Sequence, residues 1–113
     1  MRINRKNAMI LWFRAYGDRE YAEDFDGGLM CRQAYGDPNY YEFRGGQKIY
    51  CGWNIHHILP KACGGSDAVE NLMCANIITN ELAGDKVSFR IDGHLYQVRK
   101  VKYSHCHQIV LVK

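Results

Sequence analysis

Two adjacent histidines, His56 and His57, lie within a short segment that has the apolar alternation of a strand, and they constrain the fold more than any other feature. The segment covers residues 53–59. Successive side chains of a strand point to opposite faces, so the two histidines are expected on different sides. Asparagines follow His57 after 14 and 23 positions, at Asn71 and Asn80. Such polar side chains disfavour an apolar core, and their spacing indicates a catalytic site around a metal ion.

The residues after the histidines predict a second strand and a helix. Residues 53–59 form the first strand, and a turn at residues 64–67 lets residues 71–74 return antiparallel. A helix then covers residues 75–83, and Gly84 stands where a helix C-terminus favours glycine. The middle of the chain is therefore expected to be a strand, a long loop, a short strand and a helix.

The first part of the chain predicts a helix and a hairpin arm. Residues 5–16 have helical spacing and Gly17 ends the helix. Turn signals at residues 26–28 and 35–39 flank the apolar run 29–31, which predicts a hairpin. The helical side chains expected to face the core are Met9, Ile10, Trp12 and Phe13. Residues 40–52, rich in tyrosine and glycine, are expected to form a loop.

The C-terminal segment predicts a hairpin and a third strand. Apolar alternation over residues 87–91 is followed by a turn at Asp92 and Gly93, and then by strands over residues 95–103 and 109–112. The overall expectation is an α+β fold.

The 113 residues are expected to form one domain of three parts, residues 1–52, 53–86 and 87–113. The last part carries five Lys or Arg residues against one Asp, whereas the whole chain has a net charge of +3. This charge is too small to indicate nucleic-acid binding by itself, but the basic excess follows the histidine segment directly.

No segment predicts a membrane span or a secretory signal. The chain has no run of about 18 apolar residues, and Arg14 interrupts its first apolar stretch before any cleavage site. A cytoplasmic protein without a membrane partner is expected, and the sequence does not indicate an oligomeric state.

The five cysteines include no closely spaced pair, so neither a disulfide framework nor a four-cysteine zinc site is indicated. One alternative stays open, in which two cysteines share a structural zinc ion with a histidine. The residues for this alternative are Cys31 with Cys51, or Cys63 with Cys74, together with His105 or His107.

At these middle residues the chain resembles the HNH nucleases, a branch of the ββα-metal endonucleases, in their small bacterial or phage type. The matching residues are Trp53, Ile55 to Ile58, Pro60, Gly64-Gly65-Ser66-Asp67, Asn71-Leu72, and Asn80 before Gly84-Asp85. The resemblance implies a ββα-metal finger core, flanked here by the N-terminal helix and the C-terminal strands. It covers about half of the chain well and implies a bacterial host cell.

The resemblance assigns His57 and Asn71 to catalysis. His57 would be the general base that takes a proton from the attacking water, since imidazoles titrate near neutral pH. Asn71 would fix the backbone or the ring of His57 so that the correct nitrogen faces the water. A core histidine and a turn asparagine are the structural alternatives for these residues.

The resemblance also assigns one divalent metal ion to His56 and Asn80. An ion held by two side chains keeps positions open for water and for phosphate oxygens. Mg²⁺ or Mn²⁺ is expected. Because neither ligand is a carboxylate, Mg²⁺ would be held weakly, so the softer ions Ni²⁺ and Zn²⁺ are alternatives. Asn76, one helical turn before Asn80, is a competing ligand.

Several basic residues are expected to contact the DNA backbone. They are Lys61 and Lys86 beside the site, and Arg90, Arg99, Lys100 and Lys102 in a wider track. The chain departs from its relatives at Glu81, where many carry a basic residue, and at Gly84, where some carry a further ligand.

The expected function is a metal-dependent HNH endonuclease that hydrolyses DNA phosphodiester bonds, by nicking or double-strand cleavage and with low sequence specificity. Two alternatives remain. One is a non-catalytic ββα module that binds DNA or a protein, which Glu81 favours. The other is a zinc-stabilised structural or regulatory protein.

Overall fold

Two helices and nine short strands make up the α+β fold, which a computed structural model describes over residues 1–113. The strands form three two-stranded sheets and one three-stranded sheet, all antiparallel. The helices are α1 (Arg5–Tyr16) and α2 (Ile77–Ala83). The strands are β1 (Tyr21–Glu23), β2 (Leu29–Cys31), β3 (Tyr41–Arg44), β4 (Gln47–Tyr50), β5 (Trp53–His57), β6 (Leu72–Asn76), β7 (Ser88–Ile91), β8 (His94–Lys100) and β9 (His107–Leu111).

Helix α1 has the predicted bounds but turns a different face to the core. Asn4 caps its start by accepting a hydrogen bond from the Asn7 amide, and Gly17 ends it with φ of 65°. The buried side chains are Ala8, Leu11 and Trp12, and Met9 is only partly buried. The expectation for Ile10 and Phe13 was wrong, because these side chains are 42% and 66% exposed.

The size of the Trp12 side chain explains why Ile10 and Phe13 are exposed. Its side chain is completely buried against Trp53, and its Nε1 donates to the Arg19 carbonyl at 2.9 Å. An indole buries more apolar area than any other side chain of this helix, and it therefore decides which face packs inward.

Two hairpins follow α1. The predicted hairpin arm pairs β1 with β2, and the Asp24 carboxylate organises its turn by accepting from the amides of Asp26 and Gly28. The segment expected as a loop is a second hairpin, in which β3 pairs with β4. Its turn residues Gly45 and Gly46 have φ of 56° and 80°, which glycine adopts at little cost.

The middle of the chain folds as strand, long loop, strand and helix. Strand β5 ends at His57, two residues before the predicted end, and β6 extends to Asn76. Helix α2 consequently begins at Ile77 rather than Ala75. Asn76 caps it by accepting from the Ile78 amide at 2.9 Å. The register places His56 opposite Met73 and His57 opposite Leu72.

The C-terminal part is the predicted three-stranded sheet, in the order β7, β8, β9. Its first turn is at Asp92 and Gly93, which both have positive φ. Strand β8 ends three residues before the predicted end, and β9 begins two residues before the predicted start.

The buried apolar side chains form two clusters. The larger one lies between α1 and the strands that precede α2, and includes Trp12 and Trp53. The smaller one comprises Ala83 of α2 with Phe89, Ile91 and Tyr96 of the C-terminal sheet. No helix is both long enough and apolar enough to cross a membrane.

Candidate active site

His56 of β5 and Asn80 of α2 contact each other through their side chains. Nδ1 of His56 lies 2.5 Å from Oδ1 of Asn80, and Nδ2 of Asn80 donates to Oδ1 of Asn54 at 2.5 Å. The amide is therefore oriented with its oxygen toward the imidazole. Burial lowers the pKa of His56 below its ordinary value, an effect that the hydrogen bond with Asn80 partly opposes. A neutral imidazole and an amide oxygen are both suitable donors for a divalent metal ion. Because the amide oxygen only accepts, Nδ1 carries the proton in this contact, and an ion bound by both groups would displace the hydrogen bond.

His57 points away from this pair, as the strand alternation predicts, and contacts a carboxylate. Its Nε2 lies 2.7 Å from Oδ1 of Asp67, whose second oxygen lies 3.2 Å from Nζ of Lys61. Because the partners lower the pKa of Asp67, His57 first and Lys61 second, the carboxylate is ionised and can only accept. Nε2 must then carry the proton, which leaves the lone pair of His57 on Nδ1.

Both histidines line one cleft of about 190 Å³, although they leave the strand on opposite faces. The remaining polar lining comes from Lys61 in the loop, from Asn80 on α2 and from Asp85 just after α2. A histidine held by a carboxylate and a histidine–asparagine pair therefore border the same space. This arrangement suits hydrolysis of a phosphate ester.

Asn71 does not contact the ring of His57 but fixes the backbone of the loop after β5. Its Oδ1 accepts from the Leu59 amide at 2.8 Å, and its Nδ2 donates to the carbonyls of Leu59 and Ser66 at 3.0 and 2.9 Å. Asn71 was expected to fix either the backbone or the ring of His57, and these contacts fit the role of fixing the backbone. Leu59 follows His57 by two residues and Ser66 precedes Asp67, so Asn71 fixes the loop near both.

Asn76 is not a competing metal ligand. Its Oδ1 accepts from the Ile78 amide, and its Nδ2 donates to the carbonyls of Leu29 and Tyr50 at 2.9 and 3.1 Å. The residue lies before α2 rather than within it, so it shares no helical face with Asn80. The side chain is fully used in holding the helix start.

The basic residues of the expected DNA track do not all lie together. Lys61 lines the cleft, and Lys86 is an exposed residue that follows Asp85. Arg90 and Arg99 are exposed on the face of the C-terminal sheet opposite Phe89 and Tyr96, because side chains alternate along the strands. Lys100, at the end of β8, and Lys102 are exposed as well.

Glu81, one of the two departures from the family pattern, is exposed on α2 and does not line the cleft. Its charge contributes to the raised pKa of Tyr50, after burial, Asp37 and Tyr41. The second departure, Gly84, lies on the wall of the cleft and contributes no side chain.

Sequence reasoning missed three residues of the site. Asp67 appeared only as part of a turn motif, Asn54 only as an alternating strand residue, and Asp85 only as part of a Gly-Asp pair. Asp67 precedes Asn71 by four residues in a long loop, so its contact with His57 depends on how that loop folds back. No local pattern indicates such a contact.

The cysteines do not assemble into a metal site. All five are free thiols, and Cys31, Cys51 and Cys74 are buried. No group of three or more His, Cys, Asp or Glu side chains is arranged to hold a metal ion. The pair of His56 and Asn80 differs from such a group, because one imidazole and one amide leave the remaining positions to water and substrate.

The chain matches no family model, no curated protein and no solved structure.

Proposed function

We propose that the protein is a metal-dependent endonuclease of the HNH type, which hydrolyses DNA phosphodiester bonds at the cleft between β5 and α2. One observation carries this proposal. The two donors for a metal ion, on His56 and Asn80, and a histidine held by a carboxylate, on His57 and Asp67, border the same cleft. The strand, loop, strand and helix that carry them follow the order expected of a ββα-metal core, which supports the proposal.

In this proposal His57 is the general base. Its Nδ1 takes a proton from a water molecule as the water oxygen attacks the scissile phosphorus. The Asp67 carboxylate holds the ring in the required tautomer and stabilises the imidazolium that forms. The bond from phosphorus to the leaving 3′ oxygen breaks, and this oxygen acquires negative charge.

His56 and Asn80 would hold one divalent cation, Mg²⁺ or Mn²⁺, with Ni²⁺ or Zn²⁺ as alternatives. When bound, the cation supplies Lewis-acid stabilisation to the phosphate and to the leaving oxygen. Asn54 keeps the amide oxygen of Asn80 directed at His56. Lys61, whose side chain is 61% exposed, lines the cleft and can contact a non-bridging phosphate oxygen.

The experiment is conversion of supercoiled plasmid DNA to the nicked form by the purified protein, with each of the four cations and with EDTA. We expect His57→Ala to cleave at least about 100-fold more slowly than the parent protein. His105→Ala is the matched control, because His105 is exposed and makes no hydrogen bond through its ring. Circular dichroism of both variants checks that they fold.

Cleavage by His57→Ala at the parental rate would contradict the mechanism. Binding of DNA without cleavage under any of the four cations would favour a non-catalytic ββα module. The exposed acidic Glu81 on α2 also favours this alternative. Loss of folding after mild chelation would favour a zinc-stabilised protein.

A further inference from the structure

The hairpin of β3 and β4 presents one face to the rest of the protein and one to solvent. Glu42 and Arg44 share the inner face. Tyr21 Oη donates to Glu42 Oε1 at 2.9 Å, and the Arg44 guanidinium lies 4.8 Å from the centre of the Tyr21 ring. Since side chains alternate along a strand, their neighbours Tyr41 and Phe43 point outward.

The outer face carries a ladder formed by Tyr41, Phe43 and Lys48, and the half-buried ring of Tyr50 lies on the same face beside Tyr41. The register places Phe43 directly opposite Lys48 and Tyr41 opposite Tyr50. Nζ of Lys48 lies 4.2 Å from the centre of the Tyr41 ring. Phe43 is 74% exposed and Tyr41 is 41% exposed. Single exposed apolar residues are common, but these share one face with a cation.

The basic side chains of the hairpin can attract a polyanion such as DNA. Neither Arg44 nor Lys48 forms an ion pair with an acidic residue. Glu42, its only acidic residue, faces inward and is bound by Tyr21. Aromatic rings that stack on bases, interleaved with unpaired cations that meet phosphates, are the pattern of single-stranded nucleic-acid binding surfaces.

The hairpin is also fixed to the elements that carry the cleft. The Tyr50 carbonyl accepts from Nδ2 of Asn76, which caps α2, and Tyr50 Oη donates to the Asp37 carbonyl at 2.8 Å. Only Cys51 and Gly52 separate the hairpin from β5. A strand bound on the hairpin would therefore be held at a fixed position relative to His57.

We propose that the ladder of Tyr41, Phe43 and Lys48 is a second DNA-contacting surface, on which Phe43 stacks against an unpaired base and Lys48 contacts a phosphate. This inference rests on the proposed nuclease function for the choice of DNA. It adds a binding element outside the catalytic cleft, which positions one strand of the substrate.

The test is fluorescence anisotropy of a labelled 20-nucleotide DNA single strand and of its duplex, measured in EDTA, which removes the cation needed for cleavage. We expect Phe43→Ala to weaken single-strand binding about 5- to 100-fold. Phe13→Ala is the matched control, since Phe13 is 66% exposed on α1, and should bind within about twofold of the parent. We expect Lys48→Gln to reduce the slope of log affinity against log salt by about 1, and Lys6→Gln on α1 to leave it unchanged.

Equal binding by Phe43→Ala and the parent protein would overturn the proposal, as would an absence of DNA binding by the parent. An effect of Phe43→Ala confined to an RNA strand of the same sequence would overturn it too. Binding to DNA that depends on Phe43 in a protein that never cleaves would support the ladder and contradict the nuclease mechanism, so the two failures are distinguishable.

Discussion

The carboxylate of Asp67 holds the ring of His57, with 2.7 Å between Oδ1 and Nε2. Because an ionised carboxylate only accepts hydrogen bonds, this contact fixes the tautomer of the ring and directs the lone pair of Nδ1 elsewhere. Lys61 binds the second oxygen of the same carboxylate and, after His57, contributes to the lowered pKa of Asp67. The tautomer of His57, the proposed general base, therefore depends on a residue ten positions away in the loop.

The first prediction concerns Asp67→Asn. The amide can donate to Nε2, which would favour the tautomer with the proton on Nδ1, so that Nδ1 has no lone pair to accept the proton of the water. We expect DNA cleavage to fall about 10- to 100-fold with the fold intact. Steady-state cleavage assays measure the effect, and Glu70→Gln, which neutralises an exposed carboxylate in the same loop, is the control. Parental activity of Asp67→Asn would show that the contact is only structural.

The second prediction concerns the metal ligands. Asn80→Ala and His56→Ala should each lower the affinity for Ni²⁺ or Mn²⁺ by at least about tenfold, because each removes one of two protein donors. Isothermal titration calorimetry with the metal ion alone measures this without any DNA. His105→Ala should bind the ion as the parent does. Unchanged affinity in Asn80→Ala would remove α2 from the metal site.

The third prediction concerns stability against pH in the presence of EDTA. His56 is buried, and burial lowers its pKa from the ordinary 6.5. The unfolded chain therefore binds a proton at His56 more readily than the folded one. This contribution to the free energy of unfolding is complete above pH 6.5 and is lost as the pH falls through the lowered pKa.

Urea denaturation at several pH values below 7 tests this prediction. The parent protein should lose stability with acid more steeply than His56→Gln, which has no imidazole to protonate at this position. His105→Gln is the control for the other histidines, because His105 is exposed and its ring forms no hydrogen bond or ion pair. Parallel pH profiles for the parent and His56→Gln would contradict the prediction.

The fourth prediction concerns Asn71→Ala. The change removes three hydrogen bonds to Leu59 and Ser66 and leaves partly buried backbone groups without partners. We expect a loss of about 2 to 4 kcal/mol in the free energy of unfolding, together with reduced cleavage. Thermal and urea unfolding measure the loss. Asn39→Ala, at an exposed asparagine whose side chain makes no hydrogen bond, should change stability by less than about 0.5 kcal/mol.

The sequence predicted well those features that depend on local periodicity. Alternation over residues 53–59 placed His56 and His57 on opposite faces, and the Asp92-Gly93 turn located the first hairpin of the C-terminal sheet. Helix α1 shows where periodicity is insufficient. Five consecutive apolar residues, from Met9 to Phe13, surround the helix, so no face stands out, and packing of Trp12 against Trp53 decides the orientation.

The contacts that complete the candidate site are non-local and were predictable only in part. Asn80 was assigned beside His56 through the family resemblance, whereas Asp67 and Asn54 were not assigned roles. Asn76 looked equivalent to Asn80 because both lie in one predicted helix. The longer β6 moved Asn76 out of the helix and into the cap. A shift of two residues at a helix start thus removed one candidate ligand.

The division of the interior into two apolar clusters has a consequence for the behaviour of the cleft. His56 extends from a strand whose Trp53 and Ile55 belong to the larger cluster, and Asn80 from a helix whose Ala83 belongs to the smaller one. The two proposed metal donors thus meet where the two clusters adjoin. The hydrogen bond between His56 and Asn80 therefore joins the two clusters, so a change in the packing of either one alters the distance between the imidazole and the amide.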